Sequence, residues 1–308
     1  MTDIIEVYNL KKSYKDVVAV NDISFDVKSG SLFAFLGVNG AGKSTTINIL
    51  CTLLKKDDGK VMINGNDLDK DSLKIKNDIG IVFQNGVLDN LLTVKENLTV
   101  RASYYGLRGA QWSSRLQKLT EILSLEEILK RPYGKLSGGQ KRRVDIARGI
   151  IHEPKILFLD EPTTGLDPQT RQNIWRVIED LRTKNNTTIF LTTHYMEEAD
   201  NAHEVVILDS GKIIAQDTPI RLKSKFSGEY IKIYGIRSRK TEEIIAKYDY
   251  LYENDYYKIN VKNSDDAVRF ITSHKELLTN FEVIKGNMDD VFLNATGKSL
   301  KEVTYEKN

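Results

Sequence analysis

The stretch LGVNGAGKST, residues 36–45, decides the fold. Gly37, Gly42, Lys43 and Ser44 fall in the spacing G-x-x-x-x-G-K-[ST]. SLFAFLG, an apolar run of strand length, stands before it. KSTTINILCTLL follows, with Ile47, Leu50, Leu53 and Leu54 at helical spacing. Strand, glycine loop and helix in that order are the setting of a phosphate-binding loop. Glycines let the backbone curl until several N–H groups point inward, and the helix that opens there favours an anion. Lys43 then reaches the β- and γ-phosphates. Ser44 offers its hydroxyl to Mg²⁺, and Thr45 supports the α- and β-phosphates.

Such a loop needs a metal-directing carboxylate at the end of another strand. KILFLDEPTTGLD (155–167) supplies one: Ile156 to Leu159 read as a buried parallel strand that ends in Asp160–Glu161. Strand neighbours point to opposite sides. Asp160 is therefore assigned to Mg²⁺ through water, and Glu161 to general base or polarisation of the attacking water. A later strand, TTIFLTTH (187–194), ends in His194 just before a helix expected over EEADNAH. That places the imidazole at the same edge, where it senses the γ-phosphate and holds the water in line with Glu161.

KLSGGQKRRVDIARGIIHEP (135–154) carries a second glycine pair. Ser137 and Gln140 have capping-box spacing. The helix behind them has Val144, Ala147, Ile150 and Ile151 on one side and stops before Pro154. Ser137, Gly138 and Gly139 thus form a second anion site, which lacks the strand and lysine to enclose a nucleotide alone. Lys141, Arg142 and Arg143 read as a solvated basic face.

With these residues in view, the chain resembles the nucleotide-binding subunits of ABC transporters. GVNGAGKST (Gly37, Val38, Asn39, Gly40, Ala41, Gly42, Lys43, Ser44, Thr45) resembles the Walker A loop, with Val38 where proline is common. LSGGQ (136–140) resembles the family signature, ILFLDE (156–161) Walker B with its catalytic glutamate, and GLD (165–167) the D-loop with Asp167. His194 matches the switch histidine. Gln84, in GIVFQNG, matches the glutamine that contacts Mg²⁺ and the water. Tyr14, in KKSYKDVVAV, matches the aromatic that stacks on adenine. These motifs stand in family order from residue 14 to 194. The closing NMDDVFLNATGKSL (287–300) resembles the tail of daunorubicin-resistance-type exporter ATPases.

The resemblance implies an α/β fold: a RecA-like P-loop NTPase core with antiparallel β and helical subdomains, plus a small C-terminal α+β domain. It implies ATP and Mg²⁺, and catalysis by Glu161, His194 and Gln84, with Ser44, Gln84 and Asp160 at the metal. It also implies two chains joined head to tail, so that Ser137, Gly138, Gly139, Gln140 and Asp167 of one meet the nucleotide on the other. The expected partners are a second ATPase subunit and a transmembrane permease of the ABC-2 type, for export of a small molecule, drug or lipid-like cargo. A rival class, ABC ATPases of translation or DNA maintenance, carries two cassettes or a long coiled coil. This chain has one cassette and no heptad run.

Bulk properties agree. A net charge of +2 over 308 residues is too small to imply a polyanionic partner, so no nucleic acid is expected. The start, MTDIIEVYNL, lacks a basic segment followed by an apolar run, and no stretch approaches the ~18 apolar residues of a membrane span. Cys51, the one cysteine, lies in an apolar helical stretch and reads as core packing. The expected location is the cytoplasmic face of the membrane, held there by the permease. Residues 1–224 are expected to form the ATPase, with the helical subdomain at about 88–150 and a hairpin over 204–215 turning at Asp209–Ser210–Gly211. After Pro219 the chain alternates Tyr- and Lys-rich strands with helices, so residues 225–308 read as a regulatory or interaction domain.

Overall fold

The computed structural model describes residues 2–297. Residues 298–300 of the exporter-like tail lie outside that range. Two long strands, β1 (Asp3–Tyr14) and β2 (Val17–Lys28), pair antiparallel and lead into β3 (Leu32–Leu36). The glycine loop then opens α1 (Lys43–Leu50). β4 (Asp58–Ile63) and β5 (Asn66–Asp67) complete a four-stranded sheet in the order β2-β1-β4-β5. Next come α2 (Ser72–Asp78) and β6 (Ile79–Val82). Three helices follow: α3 (Val94–Tyr104), α4 (Gly109–Leu123) and α5 (Gly138–Gly149). After them come β7 (Ile156–Asp160), α6 (Pro168–Asn185), β8 (Thr188–Thr193), α7 (Met196–Ala199), β9 (Glu204–Asp209) and β10 (Lys212–Asp217).

The central sheet has the order β10-β9-β3-β8-β7-β6, and β9, β3, β8, β7 and β6 run parallel. β3 and the apolar part of β7 are fully buried, as their unbroken apolar runs require, and β8 is buried along its whole length, threonines included. Phe25, Phe33, Phe35, Phe158 and Phe190 meet in this core with ring centroids 5.2–6.4 Å apart. Burying each ring contributes about 1.5–3 kcal/mol. The β9–β10 hairpin turns at Ser210 and Gly211, both at positive φ, as a two-residue turn that matches strand twist demands. Cys51 is buried in the same core.

Two compact units emerge. The first runs to Tyr195 and resumes over Ala202–Ile214. The second comprises Met196–Asn201 and the chain from Ala215 onward. In the second, α8 (Pro219–Phe226) precedes β11 (Glu229–Tyr234), α9 (Arg239–Ile245), β12 (Tyr250–Glu253), β13 (Tyr256–Val261), α10 (Ser264–Ser273), β14 (Phe281–Lys285) and α11 (Met288–Thr296). From β11 to β14 this is β-α-β-β-α-β, and the sheet order β12-β13-β11-β14 is that of a split βαβ sandwich. Its core gathers Ile231, Ile233, Tyr257, Ile259, Ala267 and Phe270.

Two local expectations are corrected. The helix after His194 is only Met196–Ala199, not all of EEADNAH: His203 N–H donates to Leu32 O at 2.8 Å, which draws the chain into the sheet. Arg142 is buried rather than solvated, with consequences for the site described next.

Candidate active site

The glycine loop joins β3 to α1 at the carboxyl ends of the parallel strands, where open α/β sheets bind ligands. Gly42 caps α1 at φ 106°, and a Cβ there would come within 2.3 Å of Ala19 O, so only glycine fits. No side chain caps α1, which leaves its first N–H groups free for an anion. Lys43 is buried, and its Nζ donates to Gly37 O at 2.7 Å and Val38 O at 2.9 Å. Burial lowers its pKa, while the Glu161 and Asp160 carboxylates oppose that shift, so both acids lie within its electrostatic reach. Ala41 is buried, Val38 and Thr45 are half-buried, and Asn39, Gly40 and Ser44 are exposed.

Asp160 is the last residue of β7. Its Oδ1 accepts from Thr192 Oγ1, its register partner on β8. Burial raises its pKa, with Glu161 adding to the shift and Thr192 and Lys43 countering it. Glu161 leaves the strand at φ 47°, the left-handed region. Strand alternation therefore does not separate the two carboxylates; a backbone kink does, of the kind found where a site demands it. The Glu161 N–H donates to Thr192 O at 3.0 Å.

The structure brings Gln84, Glu161 and His194 together. Gln84 Nε2 donates to Glu161 Oε2 at 2.9 Å, and Thr164 Oγ1 donates to the same oxygen at 3.2 Å. His194 Nδ1 stands 3.2 Å from Glu161 Oε1. The imidazole holds the Glu161 carboxyl below its usual range against the opposing effect of burial, so the group is ionised at neutral pH. An ionised carboxylate beside an amide and an imidazole can accept a proton from water and align it.

Ser137 N-caps α5 in a full capping box with Gln140: Gln140 N–H donates to Ser137 Oγ at 3.3 Å, and Ser137 N–H to Gln140 Oε1 at 3.1 Å. Ser137 and Gly138 are exposed. A cavity of about 530 Å³ takes in Ser137, Gly139 and Gln140 with residues of α4 and α6, and none from the glycine loop. Asp167 caps α6 by accepting from Thr170 N–H at 2.9 Å. Tyr14 ends β1 and is 45% exposed, with the Lys12 ammonium over its ring, 5.7 Å from the centroid.

Sequence reasoning missed two residues. Arg142 donates to the carbonyls of Phe83, Asp160, Glu161 and Pro162, so one guanidinium ties α5 to the Gln84 segment and to the backbone that carries both carboxylates. The available signal was the three-residue spacing of Arg142, Asp145 and Arg148, a buried polar stripe beside the apolar one. Thr192, fully buried, fixes the Asp160 side chain and the Glu161 backbone.

The donors facing this crevice are a hydroxyl, carboxylates and an amide oxygen. Among the described residues no three His, Cys, Asp or Glu groups form a cage. A hard cation held by few protein oxygens and completed by phosphate is the Mg²⁺ pattern, so the residues fit that ion.

Fold and site together define an α/β P-loop ATPase. The ABC transporter family profile matches residues 20–164. Linearmycin resistance ATP-binding protein LnrL of Bacillus subtilis (strain 168) is 33% identical over 312 residues, covering 97% of this chain and 100% of that protein. Nod factor export ATP-binding protein I of Cupriavidus metallidurans is 33% identical over 304 residues, covering 98% and 100%. The chain belongs to the ABC transporter ATP-binding proteins: it binds ATP and is an ATPase. Among solved structures, cbiO1 of Clostridium perfringens, part of the ABC transporter complex cbiONQ, matches with TM-score 0.68 and 29% identity over 73% of this chain and 92% of that one. The dimeric post-hydrolysis state of the ATP-binding cassette MJ0796, bound to ADP and Pi, matches with TM-score 0.64 and 29% identity over 70% and 98%.

Proposed function

We propose that this chain hydrolyses ATP with Mg²⁺ to power a separate membrane permease, of the ABC-2 type, that exports a small drug-like or lipid-like molecule. The triangle of Gln84, Glu161 and His194 carries the hydrolytic reading, because the amide and the imidazole converge on the Glu161 carboxylate. The export reading draws on two end-to-end relatives named for linearmycin resistance and Nod factor export. Among the described residues no helix is long and apolar enough to cross a membrane. Residues 1–224 act as the ATPase and 225–308 as a regulatory or interaction module.

Tyr14 stacks on adenine, and the 37–45 backbone with Lys43 grips the phosphates. Ser44, Asp160 and Gln84 would hold Mg²⁺, which would supply neutralisation of the phosphate charge. Glu161 accepts the proton of the attacking water while His194 and Gln84 hold the geometry. Two chains close head to tail, with Ser137, Gly138, Gly139, Gln140 and Asp167 of one meeting the ATP of the other. In support, the cavity at the signature contains no residue of the same chain's glycine loop. The permease docks beside Gln84, where a groove of about 480 Å³ is lined by Leu53, Phe83, Val87, Arg101, Tyr104 and Arg148. The protein thus works at the cytoplasmic face of the membrane.

Expression with and without the permease encoded beside this chain tests the reading. The chain should sediment with membranes, and its ATPase should respond to the exported compound, only when the permease is present. Membrane association and turnover indifferent to the permease would refute it.

A further inference from the structure

Gln84 is held through its backbone as well as through its amide. α5 presents Arg142, Asp145 and Arg148 along one buried face, at i, i+3 and i+6. Arg148 donates to Ile81 O of β6, and Arg142 to Phe83 O, the residue before Gln84. Asp145, between the two arginines, serves the residues after Gln84. Its Oδ2 accepts from the Tyr133 hydroxyl at 2.9 Å, and both side chains are buried. Burial pushes the pKa of each group up, so the hydroxyl keeps its proton and remains the donor.

Gly86 lies against this pair. A Cβ there would overlap the Tyr133 hydroxyl and stand 3.3 Å from Asp145 Oδ2. Gly86 is not at positive φ, so its glycine answers to lack of space rather than to backbone conformation. Tyr133 cannot easily retreat. It opens a 3₁₀ turn, Tyr133–Lys135, whose Tyr133 N–H donates to Leu92 O at 2.9 Å and Gly134 N–H to Asn90 O at 3.0 Å. The residue is thus anchored at its backbone by residues 90–92 and at its hydroxyl by α5. The chain is fixed on both sides of Gln84, and the amide is fixed at its far end by Glu161 Oε2 at 2.9 Å.

We propose that the Tyr133–Asp145 pair is a wedge that positions Gln84: pressed against Gly86, it sets the backbone from which the amide reaches Glu161, as Arg142 does at Phe83. Tyr133 and Asp145 are positioning residues in this scheme. The inference rests on the reading of Gln84 as a partner of Glu161 in hydrolysis.

The test uses the full chain with Gly86→Ala, Tyr133→Phe, the two combined, and Gln84→Ala. Three quantities are measured: kcat, the Kd of a fluorescent ATP analogue without Mg²⁺, and the ¹H–¹⁵N signal of the Gln84 side-chain amide in glutamine-labelled protein. That signal is assigned by its loss in Gln84→Ala. Gly86→Ala should shift it and lower kcat about tenfold while Kd stays put, since misplacement of a catalytic group costs rate rather than affinity. Adding Tyr133→Phe removes the atom that the new methyl meets and leaves Cζ at 3.3 Å, so the combined variant should regain most of the rate and of the signal position. Structural weakening alone would make the combined variant worse than either single one. An unmoved Gln84 signal in folded Gly86→Ala overturns the proposal, as does a combined variant no better than Gly86→Ala. Should Gly86→Ala fail to fold, Asp145→Ala and Asp145→Asn decide. The first should shift the signal and lower kcat, and the second, which keeps an acceptor for the hydroxyl, should restore both; no shift in Asp145→Ala overturns the proposal. Wild-type kcat in Gln84→Ala overturns the reading of Gln84 in hydrolysis and the proposal with it, whereas a slowed Gln84→Ala beside an unmoved signal in Gly86→Ala overturns the proposal alone.

Discussion

Arg142 offers the sharpest test of the site's construction. Its guanidinium serves the carbonyls of Phe83, Asp160, Glu161 and Pro162. Lysine, a point charge on a flexible stem, cannot reach all of these at once. If Arg142→Lys satisfies about half of them, two buried carbonyls lose their donor. At about 1–1.5 kcal/mol each, the loss is ~2–3 kcal/mol. Arg142→Ala removes every donor and leaves a void, for ~4 kcal/mol or more, partly offset if water enters. A protein of ordinary stability, about 5–15 kcal/mol, survives the first change and stands near its limit with the second. Activity should fall further than stability suggests. The freed carbonyls flank Gln84 and Glu161, and misplacement of catalytic groups by ~1 Å costs up to 10²-fold. Urea unfolding and steady-state ATPase of Arg142→Lys separate the two effects: the midpoint should drop at unchanged slope, and kcat should fall about tenfold or more with ATP affinity retained. Wild-type stability and kcat in that variant would refute the strut.

Three further outcomes are expected. Glu161→Gln should keep ATP binding, lower turnover by about 10²–10⁴-fold and accumulate an ATP-bound dimer visible by size-exclusion chromatography; near-normal turnover would remove Glu161 from the mechanism. Mixing Lys43→Ala with Gly138→Asp chains, each inactive alone, should restore part of the ATPase, because one composite site keeps an intact loop and an intact signature; Gly138 suits this better than Gly139, where a new Cβ would press within 2.4 Å of Thr170 Cγ2, against 3.6 Å to Leu166 Cδ2 at Gly138. Cys51, buried and with its thiol pKa pushed well up by burial, should resist maleimide in the native protein and react on unfolding; rapid native labelling would contradict its place in the core.

What the sequence made legible follows from which physics is local. The glycine loop, the capping box at Ser137 and the apolar run of β7 each declare themselves within a dozen residues, since turn geometry, helix capping and burial act at short range. The β9–β10 turn at Ser210–Gly211 was readable for the same reason. Arg142 was not. Its partners lie at Phe83 and at 160–162, and a basic tripeptide looks solvated until those segments are brought beside it. The kink at Glu161 was hidden too: strand alternation made a reasonable account of two divergent carboxylates, and only φ 47° shows that the chain leaves the strand between them. The length of α7 was set from outside by the Leu32–His203 pairing, a contact of residues 171 positions apart.

These long-range ties give the triangle of Gln84, Glu161 and His194 an uneven construction. Glu161 is held by Thr192 of β8 and by Arg142, both buried, and so is the rigid corner. Gln84 follows β6, and its neighbour Phe83 is bonded to Arg142 of the signature helix, so a force on α5 reaches the amide. The His194 ring lies tilted against Tyr195 with centroids 4.2 Å apart, and Arg171 of α6, the helix capped by Asp167, lies 4.5 Å from the Tyr195 ring. The two other corners therefore lean on different helices, Gln84 on α5 through Phe83 and His194 on α6 through Tyr195. If Glu161 works with both neighbours at once, as proposed, losses at Gln84 and His194 should not add, and the double variant should be little worse than the poorer single one.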